Sequence, residues 1–372
     1  MKKIGIDARL YLQTGVGVYL RNLLHYLPKY SDSSVTYYIY IGNDDKKSLP
    51  TMNDQFIVRS VSSRWHSFSE QTSFLKALTR DSLDLMHFTY FSYPILYRKK
   101  FIATVHDLTP LLFRTGKAST QLPFLYALKH IVFRLVLSQQ IANASHLITP
   151  TAAVKNQIRQ IFGQSATEKT SVIYEGVNYE LQQVPENILL AEKIDKPFFL
   201  YVGNFYPHKN VETLLQAFSH IQKDVDLLLV GPKDYFSQRI VHMIHQLGQS
   251  HRITFFHDVS LEKLVFFYKH ALALVHPSYS EGFGLPIIEA AFYGCPIIAS
   301  NIEVFGELLG EKYLAFDPHR ETDIFNKLNY FLEKKPTYDY QSVIEKYSFE
   351  VATQKTVSLY EKLLNDAHSY SL

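Results

Sequence analysis

The chain has 372 residues, 47% of them hydrophobic, and a formal charge of +3. That length fits two domains, the apolar fraction is ample for two cores, and the near balance of charge gives no pull towards nucleic acid. The single cysteine, Cys295, excludes an internal disulfide framework and fits a reducing compartment, the opening MKKIGIDARL has too few apolar residues for a signal peptide, and no run of about eighteen apolar residues is present to span a membrane. The expected compartment is therefore the cytoplasm.

Strand-like and helix-like patterns alternate throughout, which predicts an α/β protein with parallel sheets. Residues 3–7 (KIGID) read as the first strand. After it, Leu20, Leu23, Leu24 and Leu27 have the spacing of a helix facing the sheet. Gly15, Val16 and Gly17 open that helix, so their free amides are a candidate phosphate contact; as plain structure, the glycines would let the helix pack close to the strand. Leu20 stands where a dinucleotide fingerprint needs its third glycine, so a nicotinamide cofactor is not expected.

Residues 36–41, 55–59, 84–88 and 101–105 read as further strands, and a helix is expected to begin around Trp65, Glu70 and Gln71. His106 and Asp107 directly follow the strand FIATV, where ligands sit beyond the strand ends of an open α/β sheet. The alternative is a core histidine satisfied by Asp107. His87, near the end of DLMHF, is a candidate cleft-lining or acceptor-side residue. Residues 126–141 form a strongly apolar helix, expected in the core. With Lys129, His130, Arg134 and the upstream Arg98, Lys99 and Lys100, a membrane-facing patch is the other reading. Strands at 147–149 and 171–174 complete a first domain of residues 1–180, and the polar stretch 181–196 reads as a linker.

The second domain, residues 197–347, opens with the strand PFFLYVG and the loop NFYPHKN. Lys209 in that loop precedes a helix and is placed as a point charge for phosphate, with Asn204 and His208 beside it. Strands follow at 227–230 and 253–256, and Val259 lies just past the latter. The apolar run 271–275 leads into a loop carrying Glu281, Gly282, Phe283 and Gly284. Leu285 and Pro286 then begin a helix that ends at Gly294, and 295–299 is the next strand. Free amides and the helix dipole make this loop a second anion site, and its glycines let a phosphate approach the backbone. Two carboxylates, Glu281 and Glu289, flank it. Carboxylates repel phosphate, so the pair points to hydroxyls attached to the phosphate, as in a nucleotide-diphosphate sugar. The plain alternative is a strand–loop–helix found in any α/β protein, with glutamates complementing a dipole. Cys295, beside an apolar strand, reads as a buried structural thiol. Residues 323–332 and 348–364 are predicted helices, the last amphipathic.

Glu281 and Glu289, with GFGLP after the first and further agreement at Gly294, Pro296, Ser300, Asn301, Glu307, Asp317 and Pro318, resemble the E-x7-E signature of retaining glycosyltransferases of family four. The resemblance implies a GT-B fold: two Rossmann-like domains facing across a cleft, with residues 348–372 crossing back onto the first domain. It assigns Glu289 to ribose hydroxyls and Glu281 to a hydroxyl of the transferred sugar. Lys209 and the amides of residues 15–17, Gly282, Phe283, Gly284 and Leu285 are assigned to the diphosphate, Val259 to the base, and His106 to the sugar. His87 and Asp107 fall on the acceptor side. Relatives commonly have an arginine where Asn204 and His208 stand here, which leaves Lys209 as the loop's certain cation. Catalysis is implied to need no metal and no cofactor beyond the donor. WHSFSEQ, HDLTP and YVGNFYPHKN look most like bacterial mannosyltransferases of polysaccharide or lipopolysaccharide assembly. GDP-mannose is therefore the first expected donor, with a UDP-hexose or rhamnosyl donor next. The acceptor is expected to be a glycan or lipid-linked glycan, with peripheral membrane contact as an alternative to the core reading of residues 126–141. A nucleotide-sugar epimerase and a non-catalytic nucleotide-sugar-binding partner subunit are the alternatives.

Overall fold

The computed structural model describes residues 1–113, 123–185, 194 and 196–366, with backbone alone for 123–129. Among these, two parallel sheets organise the chain. The first contains β1 (Lys2–Asp7), β2 (Val35–Gly42), β3 (Phe56–Val61), β4 (Leu85–Phe88), β5 (Phe101–Thr104), β6 (His146–Thr149) and β7 (Thr170–Val172), in the order β3-β2-β1-β4-β5-β6-β7. The second contains β8 (Phe198–Val202), β9 (Asp226–Val230), β10 (Ile253–Phe256), β11 (Ala273–His276), β12 (Ile297–Ser300) and β13 (Leu314–Phe316), in the order β10-β9-β8-β11-β12-β13. Strands buried on both faces lose the alternation of a half-exposed sheet and read as continuous apolar runs, as FFLYV and LLLV do.

Each sheet lies in its own compact unit. One comprises Met1–Leu111, Ser119–Glu175 and Ser348–Leu372; the other comprises Leu112–Ala118 and Gly176–Tyr347. The first unit thus closes at Glu175, a few residues before the expected boundary at 180. Part of the expected linker is ordered: Tyr179–Gln182 is a short helix capped by the Asn178 side chain. Residues 186–193 and 195 of that linker lie outside the described residues.

The helix Val16–Tyr30 buries Leu20, Leu23, Leu24 and Leu27, as the spacing predicts. Its partner is the final helix, Phe349–Asn365, which buries Phe349, Ala352, Val357, Tyr360, Leu363 and Leu364 in the same unit. Burial of such side chains stabilises by about 1.5–3 kcal/mol each. The exposed Lys29–Glu350 pair between the two helices adds little.

Several expectations shift. The helix expected near Trp65 carries a π-turn at Glu70–Phe74 and continues as the α-helix Leu75–Asp81. β13, a three-residue edge strand, was not foreseen because LAF is too short to show a period. The apolar helix Pro123–Asn143, expected wholly in the core, is divided: Val136, Leu137 and Ile141 are buried, whereas Ile131, Val132 and Leu135 are 57%, 50% and 57% exposed. Among the described residues no helix is long and apolar enough to cross a membrane.

Candidate active site

In an open parallel sheet, a crevice forms beyond the carboxyl ends of the two central strands whose connections leave in opposite directions. In the second sheet those strands are β8 and β11. The loop after β8 carries Lys209 and the loop after β11 carries Glu281, and the structure brings the two together. Lys209 Nζ donates to both oxygens of Glu281, at 2.7 and 2.8 Å. His276 Nε2 donates to Glu281 Oε1 at 2.9 Å, and Ser278 Oγ donates to the same oxygen at 2.7 Å.

Local sequence explains the placement. Asn210, next to Lys209, adopts φ +57 and is 2% exposed. Its Nδ2 donates to the carbonyls of Pro277 and Pro318, at 3.1 and 2.9 Å, so the lysine loop is fastened to the glutamate loop. The Tyr279 amide adds a bond to the His208 carbonyl at 2.8 Å. Gly284 caps the helix Leu285–Phe292 at φ +92, and a Cβ there would lie 2.9 Å from the Phe305 ring. Only glycine meets both demands at low cost.

The two glutamates differ electrically. Burial alone would raise the Glu281 carboxyl, but the Lys209 charge and the His276 hydrogen bond outweigh it and hold Glu281 well below the usual carboxylate range. Glu289, inside the helix and 7% exposed, accepts from the Tyr268 hydroxyl at Oε2, at 2.8 Å. Burial pushes it up to about 7. His208 is pushed down to about 4 by burial and by Lys209, so its ring is neutral at physiological pH and does not replace an arginine's charge. Asn204 is half-buried in the same loop, Val259 is half-buried just past β10, and Gly282 and Phe283 are buried beside Glu281.

In the first unit, His106 is buried and follows β5 as expected. Asp107 is not its partner, because the Asp107 carboxylate accepts from the Thr109 amide and caps the short helix there. The ring instead meets Glu175 Oε1 through Nδ1 and the Thr89 carbonyl through Nε2, both at 3.0 Å. These two contacts fix the ring's orientation through both of its nitrogens. His87 corrects its expectation as an acceptor-side residue. It is 0% exposed, with Nδ1 2.6 Å from the Tyr360 hydroxyl and Nε2 2.7 Å from Thr104 Oγ1. Burial, with His106 nearby, pushes it down to about 3, so it is a neutral core histidine joining the final helix to the sheet. Gly15 is exposed at φ +65 as the cap of the first helix. Gly17 is buried, and a Cβ there would meet the Tyr11 carbonyl at 2.7 Å, so close packing accounts for it. Val16, half-buried, begins the helix.

His276, Ser278, Asn210, Tyr268 and Glu175 were not singled out in the sequence. Ser278 and His276 stand three and five residues before Glu281, within one loop's reach, and Asn210 adjoins Lys209. Tyr268, in a separate helix, left no local signal.

Two family models match: Glycosyltransferase Family 4 over residues 13–181 and Glycosyl transferases group 1 over residues 189–348. Among curated proteins, the chain is 32% identical to the O-antigen chain mannosyltransferase RfbU of Salmonella typhimurium over 227 residues, 60% of this chain and 62% of that one. It is 27% identical to O-antigen chain mannosyltransferase B of Escherichia coli, over 45% of this chain and 46% of that one. The chain therefore spans less than two thirds of these relatives' lengths. Among solved structures, sucrose-phosphate synthase from Thermosynechococcus elongatus superposes with a TM-score of 0.78 at 20% identity, covering 99% of this chain and 100% of that one. HepE from Anabaena, in complex with UDP-glucose, superposes at 0.73 and 15% identity, covering 97% and 100%. These two likenesses concern the fold, which is of the GT-B type.

Proposed function

The chain belongs to the family 4 glycosyltransferases, with a group 1 glycosyl transferase domain in its second half, and on that premise we propose that it transfers a hexose from a nucleotide-diphosphate sugar to a glycan or lipid-linked glycan. Our reading takes the donor as GDP-mannose, the outcome as retention of anomeric configuration, the chemistry as metal-independent, and the setting as cell-surface polysaccharide synthesis on the cytoplasmic side. The similarity to O-antigen mannosyltransferases supports mannose.

The observation that carries the proposal is the Lys209–Glu281 ion pair at the β8/β11 crevice, seated before a helix N-terminus with Glu289 inside that helix. Alone, the pair neutralises itself. An arriving diphosphate competes for Lys209 and for the amides of Phe283, Gly284 and Leu285, and this frees Glu281 to accept from a hydroxyl of the sugar. His276 and Ser278 keep the released carboxylate in place. As the sugar–phosphate bond breaks, negative charge grows on the leaving diphosphate, and prepositioned N–H groups and one ammonium stabilise it. Glu289 takes the ribose hydroxyls. To His106 and the amides of residues 15–17 we assign the sugar and terminal phosphate, on family resemblance alone. The exposed Ile131, Val132 and Leu135 are the proposed surface for peripheral membrane contact.

A thermal-shift panel of GDP, UDP, ADP and dTDP and their sugar conjugates, with and without EDTA, tests this. At a hundredfold excess over its dissociation constant a donor stabilises by about 2.7 kcal/mol. The expected result is a response to GDP and GDP-mannose, unchanged by EDTA and lost in Lys209→Ala. Silence towards every nucleotide would overturn the proposal.

A further inference from the structure

The first sheet has a crevice of its own, where β1 and β4 leave in opposite directions. Asp7, Arg9, Trp65, Thr89, Tyr90 and Ser92 line a concavity there that is too tight, as it stands, to admit a water molecule. Apart from Thr89, whose carbonyl faces His106 Nε2, none of them has a part in the reaction proposed above.

Arg9 is 7% exposed. Its Nε and Nη2 donate to the two oxygens of Asp7, at 2.8 and 2.7 Å, and Nη2 also donates to Glu70 Oε1 at 2.7 Å. The guanidinium lies 3.9 Å over the Phe74 ring, and Ser92 Oγ donates to Glu70. Nη1 is buried and has no hydrogen-bond partner among the described residues. Trp65, 43% exposed, meets Tyr90 edge to face at 6.1 Å. The next residue, His66, has φ +54, a backbone state that side chains other than glycine rarely adopt.

Stability does not explain this arrangement. A buried ionic triad is often no better than well-packed apolar side chains, and an unfilled buried donor is a further cost. The charges also limit the ligand. One guanidinium shared by two carboxylates leaves no net positive charge for a phosphate or a uronate, so the spare N–H suits a neutral hydroxyl. Aromatic walls beside a few polar groups suit a ring with an apolar face and hydroxyl edges.

We propose that this crevice is a subsite for a neutral pyranose, the acceptor sugar, in which Arg9 Nη1 donates to a sugar hydroxyl while Trp65 and Tyr90 cover the apolar face of the ring. Trp65, the exposed wall, moves to admit it. The word acceptor rests on the transferase reading; the binding of a sugar does not.

Trp65 is the only tryptophan in the chain, so its emission reports on this crevice directly. The full-length protein is titrated, without nucleotide, with the methyl glycosides of mannose, rhamnose, galactose and N-acetylglucosamine, and with methyl glucuronide as the anionic control. The expected result is a saturable change with at least one neutral glycoside and none with the glucuronide. Arg9→Lys should raise the apparent Kd about tenfold. Tyr90→Ala, which leaves the buried ions in place, should do the same and serves if Arg9→Lys does not fold. No saturable change with any neutral glycoside, an unchanged Kd in Tyr90→Ala, or a stronger response to glucuronide overturns the subsite. A nucleotide thermal shift on the same preparation separates the two readings. A shift with a silent Trp65 removes the subsite and leaves the transferase; a responding Trp65 with no nucleotide shift keeps the subsite and removes the donor reading.

Discussion

Glu281 and Glu289 stand eight positions apart, yet folding changes their proton affinities in opposite directions, and this makes them separable by pH. Glu289 is raised from an ordinary 4.5 to about 7, so its contribution to stability is full below about 4.5 and is lost as pH rises through about 7. The loss is on the order of 3 kcal/mol. Glu289→Gln should abolish this decline, which urea melts of both proteins across that range will show. Glu281 is lowered, so its contribution is present above its ordinary value and is lost on acidification. Lys209→Ala leaves a buried carboxylate held only by His276 and Ser278, and should cost roughly 3 kcal/mol. Adding Glu281→Gln to Lys209→Ala should recover part of that stability without recovering nucleotide binding, and full additivity in the double-mutant cycle would contradict the pairing. The carboxylates, the lysine and the glycine loop were legible because each sits in a short linear motif. Asn210 and Tyr268 were not, because their roles depend on what folding brings within hydrogen-bond reach.

At the scale of elements, two joints rest on single residues. Gly284→Ala forces a Cβ against Phe305 at positive φ and should cost about 1–3 kcal/mol. Because it tilts the start of the helix Leu285–Phe292, it should weaken nucleotide binding as well, measurable by calorimetry. Tyr360→Phe removes the hydroxyl facing His87 Nδ1 and should cost about 1–3 kcal/mol by leaving a buried nitrogen unpaired, with nucleotide affinity unchanged. The strands were readable in the sequence because parallel, doubly covered strands must be apolar throughout. His87 misled for the same reason: a histidine at a strand end looks like a site until a hydroxyl from a helix 273 residues away is seen to satisfy it. The apolar helix Pro123–Asn143 misled differently, because its composition does not show that Ile131, Val132 and Leu135 stand exposed.

For the molecule as a whole, the chain leaves its first unit at Glu175, builds the second, and returns at Ser348. Truncation after Tyr347 should therefore loosen the first unit more than the second. Hydrogen exchange should rise in β1, β4 and the helix Val16–Tyr30 while β8 and β11 stay protected. The return also sets an order of events during synthesis. The second unit, contiguous from Gly176 to Tyr347 apart from one short segment, has nearly all its chain before the final helix leaves the ribosome. The first unit, begun earlier, lacks until then the helix that packs against Val16–Tyr30. For that interval the unit begun earlier is the less finished of the two, and it is there that a chaperone would find its grip.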